Sequence, residues 1–246
     1  MKKSLINKYL RKFGIELHGT GYMQSLQKSS FSEDAFDKQK EILGRNATVI
    51  FDIGANRGEL TLKYQSLFSS AVIYAFEPFS GSFGILQSRI QGLNNIHPFQ
   101  KAISDSNGTF TFYVNKNIDT NSLLKSQKMG LNSDGEVRNI SSIQVETITV
   151  DDFCVTNNIN EIDILKLDIQ GGELAALKGA GKLLASKKIR LIYTEAYFKP
   201  QYEQQPLFFE IAAYLQEHNY YLQDLYNPIY GKGSIAWCDA IFLPKV

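Results

Sequence analysis

The ten residues VIFDIGANRG, Val49 to Gly58, constrain the fold of this chain more than any other stretch. A short apolar run ends in Asp52, turns through Gly54 and reaches a second glycine, Gly58, at the expected start of a helix. Glycine at position 54 permits a sharp turn and leaves bare backbone open to a ligand. Glycine at position 58 lets the next helix begin close to the sheet, with its N-terminus aimed at that ligand. Further on, VIYAFEP ends a second strand in Glu77, where corners of this shape place the acid that grips ribose hydroxyls. An ordinary strand–turn–helix corner needs neither both glycines nor the spaced acid. The pattern therefore reads as a cradle for an adenosine-bearing cofactor.

A dinucleotide cradle carries G-x-G-x-x-G, whose middle glycine makes room for the pyrophosphate. Here Ala55 and Asn56 occupy that backbone. A cofactor without phosphates fits better, and S-adenosylmethionine is one. Asn56 or Asp52 is placed to meet the ammonium and carboxylate of its methionine tail.

With 246 residues the chain has room for one sizeable α/β domain and an appendage. A net charge of +1 lacks the basic excess of a nucleic-acid binder. Cys154 and Cys238 have no metal-ligand spacing and read as reduced, buried thiols of a cytoplasmic protein. No apolar run reaches membrane-spanning length, and MKKSLINKYLRKF lacks the apolar core of a secretion signal. That segment sets Leu5, Ile6, Tyr9, Leu10 and Phe13 on one helical stripe ringed by Lys2, Lys3, Lys8, Arg11 and Lys12. The plainer reading is a helix packed on its own domain or on a second copy, in a homo-oligomer. The sharper one is peripheral contact with an anionic membrane. A second helix is expected over 31–43, so residues 1–46 form a helical extension and 47–246 the main domain.

Strand and helix patterns then alternate. Helices are expected over 58–68 and 80–90, and strands over 72–76, 96–103 and 109–115, the last suited to an edge or added strand. The polar stretch 116–142 reads as a substrate-side insertion. A strand over 143–150 leads to a short helix with Asp151 as N-cap. The buried strand IDILKLD, 162–168, a helix over 173–184, a strand over 190–195 and a helix over 206–217 follow. YYLQDLY and IAWCDAIFL close the chain as a hairpin around NPIYGKG. The sum is a mostly parallel sheet with an antiparallel C-terminal hairpin. Lys166, inside its strand, is expected to snorkel to an edge.

Five motifs occur in order: DIGANRG at 52–58, AFEP at 75–78, TVDDF at 149–153, LKLDIQGGELAALKGA at 165–180 and DAIFLP at 239–244. On these the chain resembles the FkbM family of S-adenosylmethionine-dependent methyltransferases, from about Val49 to its C-terminus. The resemblance implies a Rossmann-like class I methyltransferase fold and O-methylation of a hydroxyl, often on a sugar or natural product. One departure stands out. Where many members read D-x-E-G-A-E, this chain has DIQGGE, so Gln170 replaces a carboxylate and Gly172 an alanine. Glutamine keeps hydrogen bonding but loses charge and basicity.

Methyl transfer from a sulfonium is an in-line displacement, so alignment of the reacting atoms supplies much of the acceleration. A neutral hydroxyl also needs a group to take its proton. Ligands of open parallel sheets sit outside the carboxyl ends of the strands, and Asp168 and Glu195 stand at such ends. Asp168 is the candidate base, with helix capping as its structural alternative; Glu195 is the second candidate. Glu173 fits the first turn of a helix, where the dipole favours an acid. Asp52, Gly54, Asn56, Gly58 and Glu77 are the candidate cofactor residues, with Ala102 added on fold analogy. Tyr226, Asn227, Tyr230, Trp237 and Asp239 offer aromatic faces and polar groups to a sugar, or else finish the core. Thr120, Asn121 and Ser122 resemble a polar patch of the family and are acceptor-side candidates. His18, His97 and His218 are isolated, and no metal-ligand cluster is visible. The expected partner is a small-molecule or glycan acceptor. Two alternatives stand: a nicotinamide-dependent oxidoreductase, disfavoured by the missing glycine, and a cofactor-binding relative without catalysis, kept open by Gln170.

Overall fold

The computed structural model describes residues 34–44, 47–127, 137–231 and 233–245. The chain divides into two units, 1–38 and 39–246. The basic N-terminal stripe lies outside the described residues. A first helix, α1 (Ala35–Leu43), crosses the boundary between the units.

Within the larger unit, β1 (Val49–Ile53), β2 (Val72–Phe76) and β3 (Ile96–Phe99) pair in parallel. Helices α2 (Glu59–Leu67) and α3 (Ser80–Arg89) connect them. A separate three-stranded sheet follows, made by β4 (Ala102–Ile103), β5 (Gly108–Asn115) and β6 (Asn139–Ile148) in the order β4-β6-β5. After α4 (Val150–Thr156) the chain re-enters the first sheet as β7 (Ile162–Leu167) and, past α5 (Glu173–Lys178) and α6 (Gly181–Ala185), as β8 (Ile189–Tyr197). Helix α7 (Phe208–Glu217) leads to β9 (Tyr220–Gly231) and β10 (Ser234–Pro244). The completed sheet reads β3-β2-β1-β7-β8-β10-β9, with β10 antiparallel to both neighbours. This is the Rossmann-like class I architecture expected from the motifs.

The apolar content of each strand explains its place. All six residues of β7 are buried, as a strand covered by helices on both faces must be. Phe153 of α4 packs edge-on to Phe76 and Phe99, with ring centroids 4.8 and 4.9 Å apart, and anchors one face of the sheet. Cys154 and Cys238 are free and buried.

Four details differ from the sequence reading. The strand expected over 96–103 breaks after Phe99, where Lys101 donates its N–H back to the Phe99 carbonyl and the chain crosses to the second sheet. Residues 109–115 belong to that sheet, as an added strand at its edge. The N-cap of α4 is Thr149, whose hydroxyl accepts the Asp152 N–H at 3.0 Å. Asp151 instead caps α6 from a distance, accepting the N–H groups of Lys182 and Leu183 at 2.9 and 3.2 Å. The helix expected over 173–184 is broken at Gly179, where a Cβ would lie 2.2 Å from the Ser104 carbonyl oxygen. Strand β9 also runs through most of the expected turn, as far as Gly231.

Candidate active site

The chain order reverses direction across the sheet between β1 and β7, and a cleft opens outside the carboxyl ends of these strands. That switch point is where open α/β sheets bind ligands. The second sheet and the 3-10 turn Ile118–Thr120 form the opposite wall, contributing Ala102, Ile103, Phe112, Ile118 and Asp119.

One half of the cleft is the β1–α2 corner. The N–H groups of Gly54 and Ala55 both donate to the Phe76 carbonyl, at 3.0 and 2.9 Å, which ties the turn to the end of β2. Gly54 has φ +78°, and a Cβ there would lie 1.9 Å from the Asp168 carbonyl oxygen. Its bareness thus serves the close passage of β7 as well as any ligand. Gly58, at φ +88°, has its would-be Cβ 2.7 Å from Leu86 of α3, so it serves helix packing and does not line the cleft. Glu77 is only 7% exposed yet lies in the cleft wall. Its two oxygens accept the N–H groups of Asn56 and Phe79 at 2.9 and 2.8 Å. Burial pushes its carboxyl up to about 7, against the pull of those two bonds.

Beneath this corner lies a charged pair. Asp52 is fully buried and Lys166 2% exposed, and they pair at 2.8 Å. Lys166 does not snorkel, because it has acceptors inside: it also donates to the carbonyls of Gly54 and Ile53 at 2.8 and 3.2 Å. Burial opposes its charge, but Asp52 and then Asp168 outweigh that and hold Lys166 above the usual lysine range. The second Asp52 oxygen accepts the Thr61 hydroxyl at 2.5 Å. Asp52 therefore supports the turn from below and does not line the cleft.

The other half is the β7–α5 turn. Asp168 and Gln170 line the cleft. The Gln170 amide nitrogen donates to Asp168 Oδ1 at 3.0 Å and to Glu195 Oε2 at 2.8 Å. Its amide oxygen accepts the Tyr197 hydroxyl at 3.1 Å. The Tyr202 hydroxyl lies 3.0 Å from the same oxygen and 2.8 Å from the Thr120 carbonyl, sharing one proton between them. Glu195 sits behind Gln170, outside the cleft lining. Burial, then the charges of Asp168 and Glu173, push its carboxyl well above the ordinary range. Asp168 does not cap α5; Gly172 holds that position. Glu173, 1% exposed, instead accepts the N–H groups of Ile169 and Gly171 at 3.0 and 3.2 Å and fixes the turn.

With this geometry, the sequence matches the methyltransferase FkbM domain over residues 52–222. The chain belongs to the FkbM methyltransferase family. Among curated FkbM-like relatives, 2-O-methyltransferase NoeI of Sinorhizobium fredii is 28% identical over 190 residues, spanning 75% of this chain and 77% of NoeI. Hexuronic acid methyltransferase AglP of Haloferax volcanii is 23% identical, over 62% of this chain and 58% of AglP. Among solved structures, magnesium protoporphyrin IX methyltransferase from Synechocystis PCC 6803 with bound S-adenosylmethionine matches with a TM-score of 0.47 and 10% identity, over 99% of this chain and 97% of its own.

Of the candidate residues in this FkbM chain, Gly54, Asn56, Glu77, Ala102, Asn121 and Asp168 meet in the cleft wall. Ser122 is buried and turned to other work: its hydroxyl donates to the Gln170 carbonyl at 2.8 Å and pins the insertion to the β7 turn. Tyr226, Asn227, Trp237 and Asp239 stand on β9 and β10 outside the lining. Asp239 pairs in register with Glu195 and accepts the Tyr193 hydroxyl at 2.7 Å and the Asn227 amide at 2.8 Å. Trp237 lies 6.1 Å from Tyr197, ring to ring. Exposed Tyr230 lies further out on β9. His97 packs on Tyr74 and His218 on Tyr214, both structural contacts, and His18 lies outside the described residues. Among the described residues no cluster of three His, Cys, Asp or Glu could hold a metal ion. The sequence reading missed Lys166, Tyr197 and Tyr202, whose partners are all distant along the chain.

Proposed function

We propose that this chain is an S-adenosylmethionine-dependent O-methyltransferase acting on a hydroxyl of a carbohydrate or related small polar acceptor. One observation carries the reading: the cofactor-type corner of Gly54 and Glu77 and the strand-end acid Asp168 face a single cleft. The residues present fit such a cofactor. Asn56 Oδ1 and Asn121 Nδ2 are buried without partners, and both residues line it. When bound, S-adenosylmethionine supplies a methyl group already activated on a sulfonium.

The chain's own residues do the rest. Glu77 holds the ribose hydroxyls, and Ala102, Ile103 and Phe112 give an apolar seat for adenine. Asn56 and Asn121 meet the polar tail with their spare amide atoms. Asp168 takes the proton of the acceptor hydroxyl, which as a neutral alcohol is a weak nucleophile. The names of NoeI and AglP support a sugar acceptor. Exposed Asn227 and half-buried Trp237 stand near that end of the sheet as its outer wall.

The test is transfer of labelled methyl from S-adenosylmethionine to a panel of nucleotide sugars, oligosaccharides and lipid-linked glycans. Calorimetry with S-adenosylhomocysteine and with NAD runs alongside. The reading expects S-adenosylhomocysteine to bind, NAD not to bind, and at least one panel member to be methylated on oxygen. Binding of NAD alone would overturn it. Asp168→Asn is expected to keep S-adenosylhomocysteine affinity within about twofold while turnover falls roughly a hundredfold or more.

A further inference from the structure

The amide of Gln170 stands between two carboxylates with every hydrogen-bonding position used. Carboxylates only accept, so the nitrogen faces Asp168 and Glu195 and gives each one N–H, at 3.0 and 2.8 Å. The oxygen faces the hydroxyls of Tyr197 and Tyr202, at 3.1 and 3.0 Å. The backbone is fixed as firmly. Gln170 has φ +57°, a left-handed conformation uncommon for a side-chain-bearing residue. The Ser122 hydroxyl holds its carbonyl at 2.8 Å. A half-buried amide with all four of its hydrogen-bonding positions engaged has one orientation.

We propose that Gln170 is a positioning residue: it clamps Asp168 beside Glu195 and leaves its second oxygen for the acceptor hydroxyl. The proposal rests on the reading of Asp168 as the proton-accepting group. Asp168 Oδ2 makes no hydrogen bond among the described residues, whereas Oδ1 is taken by Gln170. An N–H donor favours the charged form of a carboxylate, and a neighbouring acid disfavours it.

Other groups also face Asp168. Lys166 on its own strand is the cation that favours its charge. Glu173 of α5, Glu195 of β8 and Asp239 of β10, all raised by burial, face it as well, and they oppose its charge only when ionised. The hydroxyls of Tyr193, Tyr197 and Tyr202 complete the surroundings. Among these acids, the neutral amide at position 170 gives Asp168 an N–H and adds no charge. A glutamate there would add a fourth acid and remove both N–H bonds.

The test follows the Asp168 carboxyl directly by carbon-13 NMR on the full chain with S-adenosylhomocysteine, the signal assigned by its loss in Asp168→Asn. Gln170→Glu and Gln170→Met should each move the Asp168 titration at least one pH unit upward, a tenfold change in proton affinity. Tyr197→Phe and Tyr202→Phe, which release the amide oxygen, should move it the same way by less. These variants decide the matter if a substitution at 170 fails to fold. An unchanged titration in variants that still bind S-adenosylhomocysteine would overturn the proposal. With any sugar that the transfer panel identifies, Gln170→Met should lower kcat roughly a hundredfold and leave the KM for S-adenosylmethionine unchanged. A drop in affinity alone would assign Gln170 a merely structural role. If no panel sugar is methylated, the acceptor reading fails while the titration still decides Gln170.

Discussion

Glu77 holds the Asn56 and Phe79 N–H groups and also faces the cleft, so its charge links the turn to whatever binds there. Without ligand, burial raises it to about 7. A ribose diol donates best to the ionised form, so binding competes with a proton. S-adenosylhomocysteine affinity should fall by up to about tenfold per pH unit below pH 7 and level off above it. Glu77→Gln should bind weakly and without pH dependence, and calorimetry between about pH 5 and pH 8 reads both. A flat profile in the unsubstituted protein would break the link. Lys166 poses a different problem. Lys166→Met strands the Asp52 charge in the core and should cost about 3–5 kcal/mol by urea denaturation. Adding Asp52→Asn should restore much of that loss. Neither residue announced its role in the sequence equally: Glu77 sits in a recognisable motif, whereas Lys166 looked misplaced because its acceptors, Asp52 and the Gly54 carbonyl, come from another strand and turn.

Among the elements, β1, β2, β7 and β8 were legible because strands covered on both faces are mostly apolar. The second sheet was not. Its strand β4 has two residues, and its register is set by Thr147 and Ile148 of β6, far along the chain. The break between α5 and α6 was equally hidden, and so was the close approach there of the Ser104 carbonyl to Gly179, which leaves no room for a side chain. Asp151 shows the limit of local capping rules. It sits in the first turn of α4, as an N-terminal acid should, but spends both oxygens on α6. Asp151→Ala should therefore destabilise the fold by about 1 kcal/mol, seen as a lower denaturation midpoint with an unchanged slope.

At the scale of the molecule, the carboxyl ends of the strands collect acids whose protons are held tightly. Glu77 and Glu173 rise from 4.5 to about 7, and Glu195 and Asp239 are also raised, in each case by burial first. A raised pKa in the folded state means that folding binds protons, so stability gained below the unfolded value is lost as pH climbs through the folded one. Asp163 runs the other way. Burial raises it, but the N–H groups of Thr48 and Val49 and then Arg190 overcome this and hold it below 3.8. Its contribution is present above that value and lost as pH falls further. The ligand-free protein should thus grow more stable from pH 8 to about pH 5 and lose stability below about pH 4, in melting temperature or urea midpoint. A steady decline from pH 8 downward would contradict this. The cofactor half of the cleft was readable because its residues share one contiguous corner. The Asp168–Gln170–Glu195 arrangement was not, because β7, β8 and the segment holding Tyr202 must meet before it exists.

The sheet order carries a consequence for assembly. Strand β9 is paired to the sheet only through β10, which follows it in the chain and inserts between β8 and β9. A ribosome making this protein delivers β9, with Tyr220, Tyr221, Leu222 and Tyr226, before its strand partner exists. Until residues 234–244 emerge, β8 presents an unpaired edge and β9 lacks a strand to pair with. Closure of the sheet is thus a late and all-at-once event, in which one strand completes both neighbours.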